Sequence, residues 1–335
     1  MERVELGKTG EMVSQLCLGA MIMGTTTDRE TSFAMLDEFL AAGGSFIDTA
    51  NCYAWWIGKN PGGESETLLG EWMKERGNRD QVFLATKGGA AIPNLGAVKD
   101  ADGNIAWENV RANYEYLSPA ALRKALEGSL RRLQVETIDL YYVHIDDRET
   151  SIEETLEELD CFVREGKVRY IGCSNFETWR LERSLNISRA HRLAQYVALQ
   201  NEYSYFRPRP GTDFGIGAHT GDEQLDYLRA NPEVTLLGYS PLLKGIYDDP
   251  AKRERYYNWH IYNTEDNRAR LEKLSKMAAE LGVSNNQLVL AWLLHHRSPR
   301  IIPIMTASGM EQFHHNMAAL EIQLSQEQLA VLNEA

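Results

Sequence analysis

Four side chains in this sequence have the types and the placement that proton chemistry at a carbonyl oxygen needs: Asp48, Tyr53, Lys87 and His144. The apolar run 45–50 reads as a short buried strand that carries Asp48, and Tyr53 follows five residues after that carboxylate. The runs 82–87 and 138–144 read as strands that end on Lys87 and His144. In a parallel α/β protein the C-terminal ends of the strands share one face, so a carboxylate, a phenol, an ammonium and an imidazole converge there. Taken singly, each has a purely structural reading. Asp48 and Lys87 at buried strand ends need partners and can satisfy one another, His144 can be a core histidine, and Tyr53 can be packing. Their combination on one face carries the chemistry. A Lys⁺ beside a phenol favours the phenolate, so Lys87 is expected to lower the pKa of Tyr53 and make it a proton donor near neutral pH. Asp48 would hold Lys87, and a neutral His144 would donate a hydrogen bond to the same substrate oxygen. The set supplies no nucleophile, metal ligation or hydride, so a reductant has to come from a cofactor.

The elements that must position these groups follow a repeating pattern. Strand candidates lie at 16–23, 45–50, 82–87, 138–144, 168–174, 195–200, 234–240 and 300–305, and a helical pattern follows each one. Ser118-Pro119 is a cap with proline in the first turn. Ser151 with Glu154, Ser284 with Gln287 and Ser325 with Gln328 have capping-box spacing. Val4-Glu5-Leu6 and Met12-Val13, around Gly7-Lys8-Thr9-Gly10, form a small N-terminal hairpin. Eight strand–helix units predict a (β/α)8 TIM barrel spanning 1–335 as a single domain. The rival, a doubly wound open sheet, would carry a G-x-G-x-x-G turn after its first strand, and that turn is absent.

Composition narrows the partners. A net charge of −13 over 335 residues argues against nucleic acid and against a membrane surface. Cys17, Cys52, Cys161 and Cys173 have no metal-type spacing and read as reduced thiols. The chain opens with no apolar signal region, so cytoplasm is the expected location. The loops 88–117, 201–221 and 241–263 are long and aromatic, with Trp107, Tyr114, Tyr116, Tyr203, Tyr247 and Trp259 among their residues. Trp55 and Trp56 lie just after Tyr53. These aromatics either pin the loops to the barrel rim or wall a pocket for a polyhydroxylated ring or an extended carbonyl compound.

Together these residues resemble the aldo-keto reductase family. The resemblance rests on Phe46-Ile47-Asp48-Thr49-Ala50 with Tyr53 at its offset, Lys87, and Leu140-Tyr141-Tyr142-Val143-His144. Gly166 to Phe176, the strand ending at Gln200, and Tyr239-Ser240-Pro241-Leu242 extend it over most of the chain. It implies a nicotinamide cofactor lying extended across the barrel mouth. Ser174, Asn175 and Gln200 would hydrogen-bond its carboxamide, and Tyr239 would stack on its ring. Gly19, Ala20 and Met21, beside Asp48, would line the ribose, while Ser240, Leu242 and Gly245 would approach the pyrophosphate. Ser308, Gln312, His315 and Asn316 would hold the adenosine end. NADP(H) is the family default. The segment 304–312 has no Lys or Arg to clasp a 2′-phosphate, which opens NAD(H) as an alternative unless Lys244 or Lys252 compensates.

The small-molecule substrate expected from the resemblance is a carbonyl or alcohol. Asn51, Trp55, Trp56, His144, Asp146, Asp147 and Arg148 are its candidate contacts. Asp146 and Asp147 would suit sugar hydroxyls, or else they simply cap the loop before the helix at 151–166. A second reading of the whole chain is a cofactor-sensing subunit of the kind that attaches to ion channels and turns over little.

Overall fold

The structure is a computed structural model, and it describes residues 1–334. Strands β1 (Arg3–Glu5) and β2 (Met12–Ser14) pair antiparallel, with Val4 opposite Val13. The next eight strands close a parallel barrel. They are β3 (Cys17–Gly19), β4 (Phe46–Asp48), β5 (Phe83–Gly88), β6 (Ile138–Val143), β7 (Val168–Ser174), β8 (Tyr196–Glu202), β9 (Thr235–Tyr239) and β10 (Ile301–Met305). β10 pairs with β3 to complete the closure. The predicted barrel and hairpin are both present.

Side chains alternate across a strand, and in a barrel that alternation separates interior from exterior. Phe46, Phe83, Ala85, Leu140, Tyr142, Ala198, Leu237 and Ile302 form one buried cluster inside the barrel. Ile47, Leu84, Tyr141, Val143, Leu199 and Leu236 belong to a second cluster, packed against the surrounding helices. Burying a large apolar side chain contributes about 1.5–3 kcal/mol, so both faces are strongly specified. The interior series continues upward in steps of two: Phe46 to Asp48, Ala85 to Lys87, Tyr142 to His144, Ala198 to Gln200 and Leu237 to Tyr239. The polar groups at the barrel mouth are thus the topmost members of the same inward-facing rows that fill the core.

The hairpin closes the opposite end. Val4, Leu6 and Val13 join the interior cluster, and the Gly7 amide donates to Thr235 Oγ1 at 2.7 Å. Gly7 has φ +57°, and a Cβ there would stand 2.3 Å from the Glu233 carbonyl oxygen, so only glycine fits this approach.

The helices begin where their caps predict. Ser118 accepts from the Ala121 amide, with Pro119 in the first turn of helix Pro119–Leu133. The reciprocal capping boxes form at Ser284 with Gln287 and at Ser325 with Gln328. At Ser151 the serine side chain accepts from the Glu154 amide. The long loops carry short helices that the apolar periodicity does not announce: Trp107–Val110 in the first, and Pro250–Arg255 and Trp259–Tyr262 in the third.

Candidate active site

Lys87 stands at the centre of the barrel mouth with its side chain fully buried. An ammonium has three donors, and all three are used. Nζ donates to Asp48 Oδ1 at 2.5 Å, to the Thr49 carbonyl at 2.8 Å and to the Tyr53 hydroxyl at 2.8 Å. Asp48 Oδ2 accepts from Gln200 Nε2 at 3.0 Å. Because Lys87 donates to the phenol, Tyr53 takes the acceptor role toward it. The phenolic hydrogen has no acceptor among the described residues, which leaves it available to an incoming oxygen.

The electrostatics correct one expectation. Burial raises the Tyr53 pKa and Asp48 adds to the rise; Lys87 lowers it, but the balance stands at about 12. Tyr53 is therefore held as a neutral phenol at neutral pH, not acidified. Lys87 keeps its charge: burial pulls its pKa down, but Asp48 and Tyr53 outweigh that and the net direction is up. Burial likewise raises Asp48, against the opposing pull of Lys87 and the Gln200 amide. The chemical meaning is a proton donor that stays loaded, beside a cation able to stabilise the phenolate left behind.

His144 follows β6, with its ring 5.8 Å from that of Tyr53. Its amide donates to the Gly88 carbonyl at 2.8 Å, and its carbonyl accepts from Asn175 Nδ2 at 2.9 Å, so the backbone is held on both sides. Burial, with Lys87 adding to it, drives the imidazole pKa well below 6.5, so His144 is neutral as expected. Its Nδ1 lies 3.5 Å from Cys52 Sγ.

The residues expected to hold a cofactor line the same mouth. Ser174 Oγ donates to the Gln200 carbonyl at 2.8 Å. Asn175 has φ +62°, and its Oδ1 accepts from the Tyr239 hydroxyl at 2.7 Å and from the Ala218 amide at 3.1 Å. Ala20 and Asp48 are joined through backbone at 2.8 Å, while Gly19 backs onto Thr306 and Ile304, where a Cβ would clash at 2.7 and 2.9 Å. Met21 is half-buried beside them. Beyond Tyr239 the backbone takes left-handed φ at Ser240 (53°), Leu243 (45°), Lys244 (61°) and Gly245 (85°). Leu242 accepts from the Gly245 amide at 2.7 Å. Non-glycine residues held in this region mark strain of the kind concentrated at ligand-binding turns.

At the far end, Gln312 Oε1 accepts from the Ser308 amide at 2.9 Å and from its hydroxyl at 3.0 Å. His315 Nε2 meets Ser284 Oγ at 2.9 Å. Asn316 Nδ2 and Asn286 Oδ1 are buried without a protein partner among the described residues. A Cβ placed on Gly245 would have Asn286 Nδ2 at 3.5 Å and Lys252 Nζ at 3.7 Å. One unmatched donor, one unmatched acceptor and an ammonium therefore sit along this edge. Lys244 lies over the Tyr257 ring at 4.7 Å.

The candidate substrate contacts divide. Trp55 is buried and packs with Ala50, Cys52, Ala90 and Ile145; Trp56 meets the Tyr53 ring at 6.1 Å. Asn51 Nδ2 donates to Glu115 Oε1 at 2.7 Å, and Asn51 Oδ1 has no partner among the described residues. The structure does not leave Asp146 and Asp147 free for sugar hydroxyls. Asp146 pairs with Arg180 at 2.7 Å and with Arg148. Asp147 is buried and accepts from the amides of Leu117, Glu149 and Thr150. They are loop anchors, and Arg148 is turned onto the exposed Trp179 ring at 4.9 Å. Sequence reasoning passed over Glu115 and read Cys52 only as a reduced thiol. Glu115 reaches the site because backbone pairing of Gly89 and Ala91 with Tyr116 and Glu115 folds the long loop back, and no periodic pattern signals that.

Among the described residues no group of three or more His, Cys, Asp or Glu could hold a metal ion, and no helix is long and apolar enough to cross a membrane.

Comparison with known proteins agrees with this geometry. The family model described as the aldo/keto reductase family matches residues 15–335. The chain is 34% identical to the uncharacterized oxidoreductase YrpG of Bacillus subtilis, over 100% of this chain and 95% of that protein. It is 32% identical to norsolorinic acid reductase stcV of Emericella nidulans, over 96% of this chain and 77% of that one. It is 30% identical to the aryl-alcohol dehydrogenase [NADP(+)] of Phanerodontia chrysosporium, over 97% and 83%. Among solved structures, the thermostable aldo-keto reductase Tm1743 in complex with the inhibitor epalrestat superposes with a TM-score of 0.72 at 28% identity, covering 100% of this chain and 99% of that one. The interior rows of the barrel, the Asp48–Lys87–Tyr53 chain of hydrogen bonds and these relationships lead to one statement: the chain belongs to the aldo/keto reductase family.

Proposed function

We propose that the protein is a nicotinamide-dependent oxidoreductase that interconverts a carbonyl and an alcohol, with Tyr53 as general acid and base. The observation that carries this reading is the fully used ammonium of Lys87, which leaves the phenolic proton of Tyr53 without a protein acceptor. In the reducing direction Tyr53 gives its proton to the substrate oxygen and later regains one from solvent. Lys87 stabilises the phenolate through the bond it already makes, and Asp48 with Gln200 fixes Lys87 in place. His144 donates to the same oxygen from its neutral ring. A bound nicotinamide dinucleotide would supply or accept the hydride.

Ser174, Asn175, Gln200 and Tyr239 would hold the nicotinamide end of that cofactor. The left-handed turn from Ser240 to Gly245, with Lys252 beside it, would take the pyrophosphate. Asn286 and Asn316 offer the acceptor and the donor for the adenosine end. NADP(H) has the family habit and the name of the aryl-alcohol dehydrogenase relative behind it. NAD(H) has behind it the lack of any Lys or Arg in 304–312 and the use of Gln312 as an internal cap.

The substrate we favour is an aromatic aldehyde or ketone. Trp55, Trp56 and Tyr53 provide apolar walls, and one relative bears the name of an aryl-alcohol dehydrogenase. The sugar reading loses its main support once Asp146 and Asp147 are engaged elsewhere. The test is fluorescence titration with NADPH and NADH separately, followed by turnover on aromatic aldehydes and on sugars. Oxidation of the better cofactor by aromatic aldehydes is the expected result. Tight cofactor binding with no turnover on any member of the panel would favour the cofactor-sensing subunit instead.

A further inference from the structure

The mechanism requires a donor on the substrate-facing side of His144, yet neutral imidazole carries a single ring proton, on either nitrogen. What sets its position is the partner of the other nitrogen. We propose that the Cys52 thiol is a positioning residue: it donates its hydrogen to His144 Nδ1 and so fixes the tautomer that carries the proton on Nε2. This rests on the carbonyl-reducing role given to His144 above.

Three observations support it. Cys52 Sγ and His144 Nδ1 are 3.5 Å apart, within the longer reach of a sulfur hydrogen bond. The thiol is 4% exposed, packed among Ala50, Trp55, Ala90, Ile92 and Ile145, so no water competes for it. The backbone that carries the imidazole is anchored, to Gly88 on one side and Asn175 on the other, which fixes where the ring starts from. Of the two ways to share one hydrogen between these atoms, S–H to nitrogen is the better. A ring nitrogen with a free lone pair is a good acceptor, whereas thiol sulfur is a weak one. Burial pushes the Cys52 thiol up to about 12, despite the opposing pull of Lys87, so the donor hydrogen is present at neutral pH. The reverse arrangement would aim the Nε2 lone pair at the substrate oxygen, where two lone pairs repel.

The test reads the tautomer directly. Protein labelled with ¹⁵N at histidine is examined by long-range ¹H–¹⁵N correlation, with the His144 signals among the eight histidines assigned by loss in His144→Asn. The expected wild-type result is a single neutral form protonated on Nε2, seen in the purified protein without substrate. Cys52→Ser keeps a donor and the same tautomer. Cys52→Ala gives a mixture of tautomers, and kcat on the best carbonyl substrate falls roughly fivefold, the factor one neutral hydrogen bond carries, while cofactor affinity is unchanged. A wild-type proton on Nδ1, or an unaltered tautomer in a folded Cys52→Ala, would overturn the proposal. An inactive protein with the Nε2 proton in place would count against the carbonyl reduction and leave this assignment standing; an active one with the Nδ1 proton would do the reverse.

Discussion

Two carboxylates are buried along the barrel strands at opposite ends, and the contrast between them separates support from chemistry. Asp139 stands near the start of β6 and is 5% exposed. It accepts from Arg79 at 2.8 Å, from Arg169 at 2.8 Å and from the Leu84 amide at 2.9 Å. Both partners are arginines, which do not release protons, and both side chains run out to solvent. Beyond Asp139 the arginines reach only the Glu11 carboxylate and the Val82 and Thr137 carbonyls, none of which has a proton to deliver. Asp48 stands at the end of β4 and is 2% exposed, and its cationic partner is a lysine with no exposure at all. That lysine relays a hydrogen bond to Tyr53. The same pairing rule, that a buried charge must be matched, builds a strut at one end and a proton-delivery device at the other. The difference lies in whether the cation has a donor left over for a group that can react.

The largest way to break this contrast is Lys87→Met. It strands Asp48 in the core, and losing one member of a buried pair costs about 3–5 kcal/mol. It also removes the stabilisation of the phenolate, so kcat is expected to fall roughly 10²–10⁴-fold. Urea unfolding and steady-state rates on the same preparation check both. Asp139→Asn is the matched control. It weakens charge-assisted bonds worth about 1.5–3 kcal/mol together with their arginines, and kcat should be unchanged per folded molecule. If Asp139→Asn lowered kcat as Lys87→Met does, the division between strut and device would be wrong.

The smallest effect is a flat pH response. Tyr53 has its pKa raised to about 12 by burial, so it is loaded below that value and the reducing rate is lost only as pH rises through it. His144 has its pKa pushed well below 6.5 by burial, so it stays neutral through the same range. The rate of the chemical step should therefore hold level from about pH 6 to 8, the window in which an ordinary histidine would titrate. Stability has the opposite sign of dependence. A depressed histidine contributes stability above 6.5 that is lost as pH falls, because the unfolded chain takes up a proton that the folded one refuses. Denaturant midpoints measured downward from neutral pH should decline, and a break in the rate near 6.5 would contradict the neutral His144.

Much of the fold is legible in the sequence, because each strand is a short apolar run and many of the longer helices have a side-chain cap or a glycine stop at an end, although helix Thr178–His191 has neither. The tetrad is legible for a related reason: Asp48, Lys87 and His144 extend the same two-residue rows as Phe46, Ala85 and Tyr142, so strand pattern alone puts them at the mouth. What sequence does not show depends on distance in space. The Asp146–Arg180 pair joins residues 34 apart in the chain, and nothing local distinguishes it from a sugar-binding carboxylate. Glu115 lies in a loop without periodicity, and its arrival beside Asn51 depends on how that loop folds back. The sign of the shift at Tyr53 depends on burial, which outweighs the attraction of Lys87 only once the barrel closes around both.

The central claim is that the proton delivered to substrate is the one on Tyr53, which Lys87 leaves free. Tyr53→Phe removes that proton and little else from the site. With the preferred dinucleotide and the best carbonyl substrate, the variant is expected to bind cofactor within about twofold of the parent and to lose at least roughly 10²-fold in kcat. A variant that kept kcat within about twofold of the parent would contradict the account.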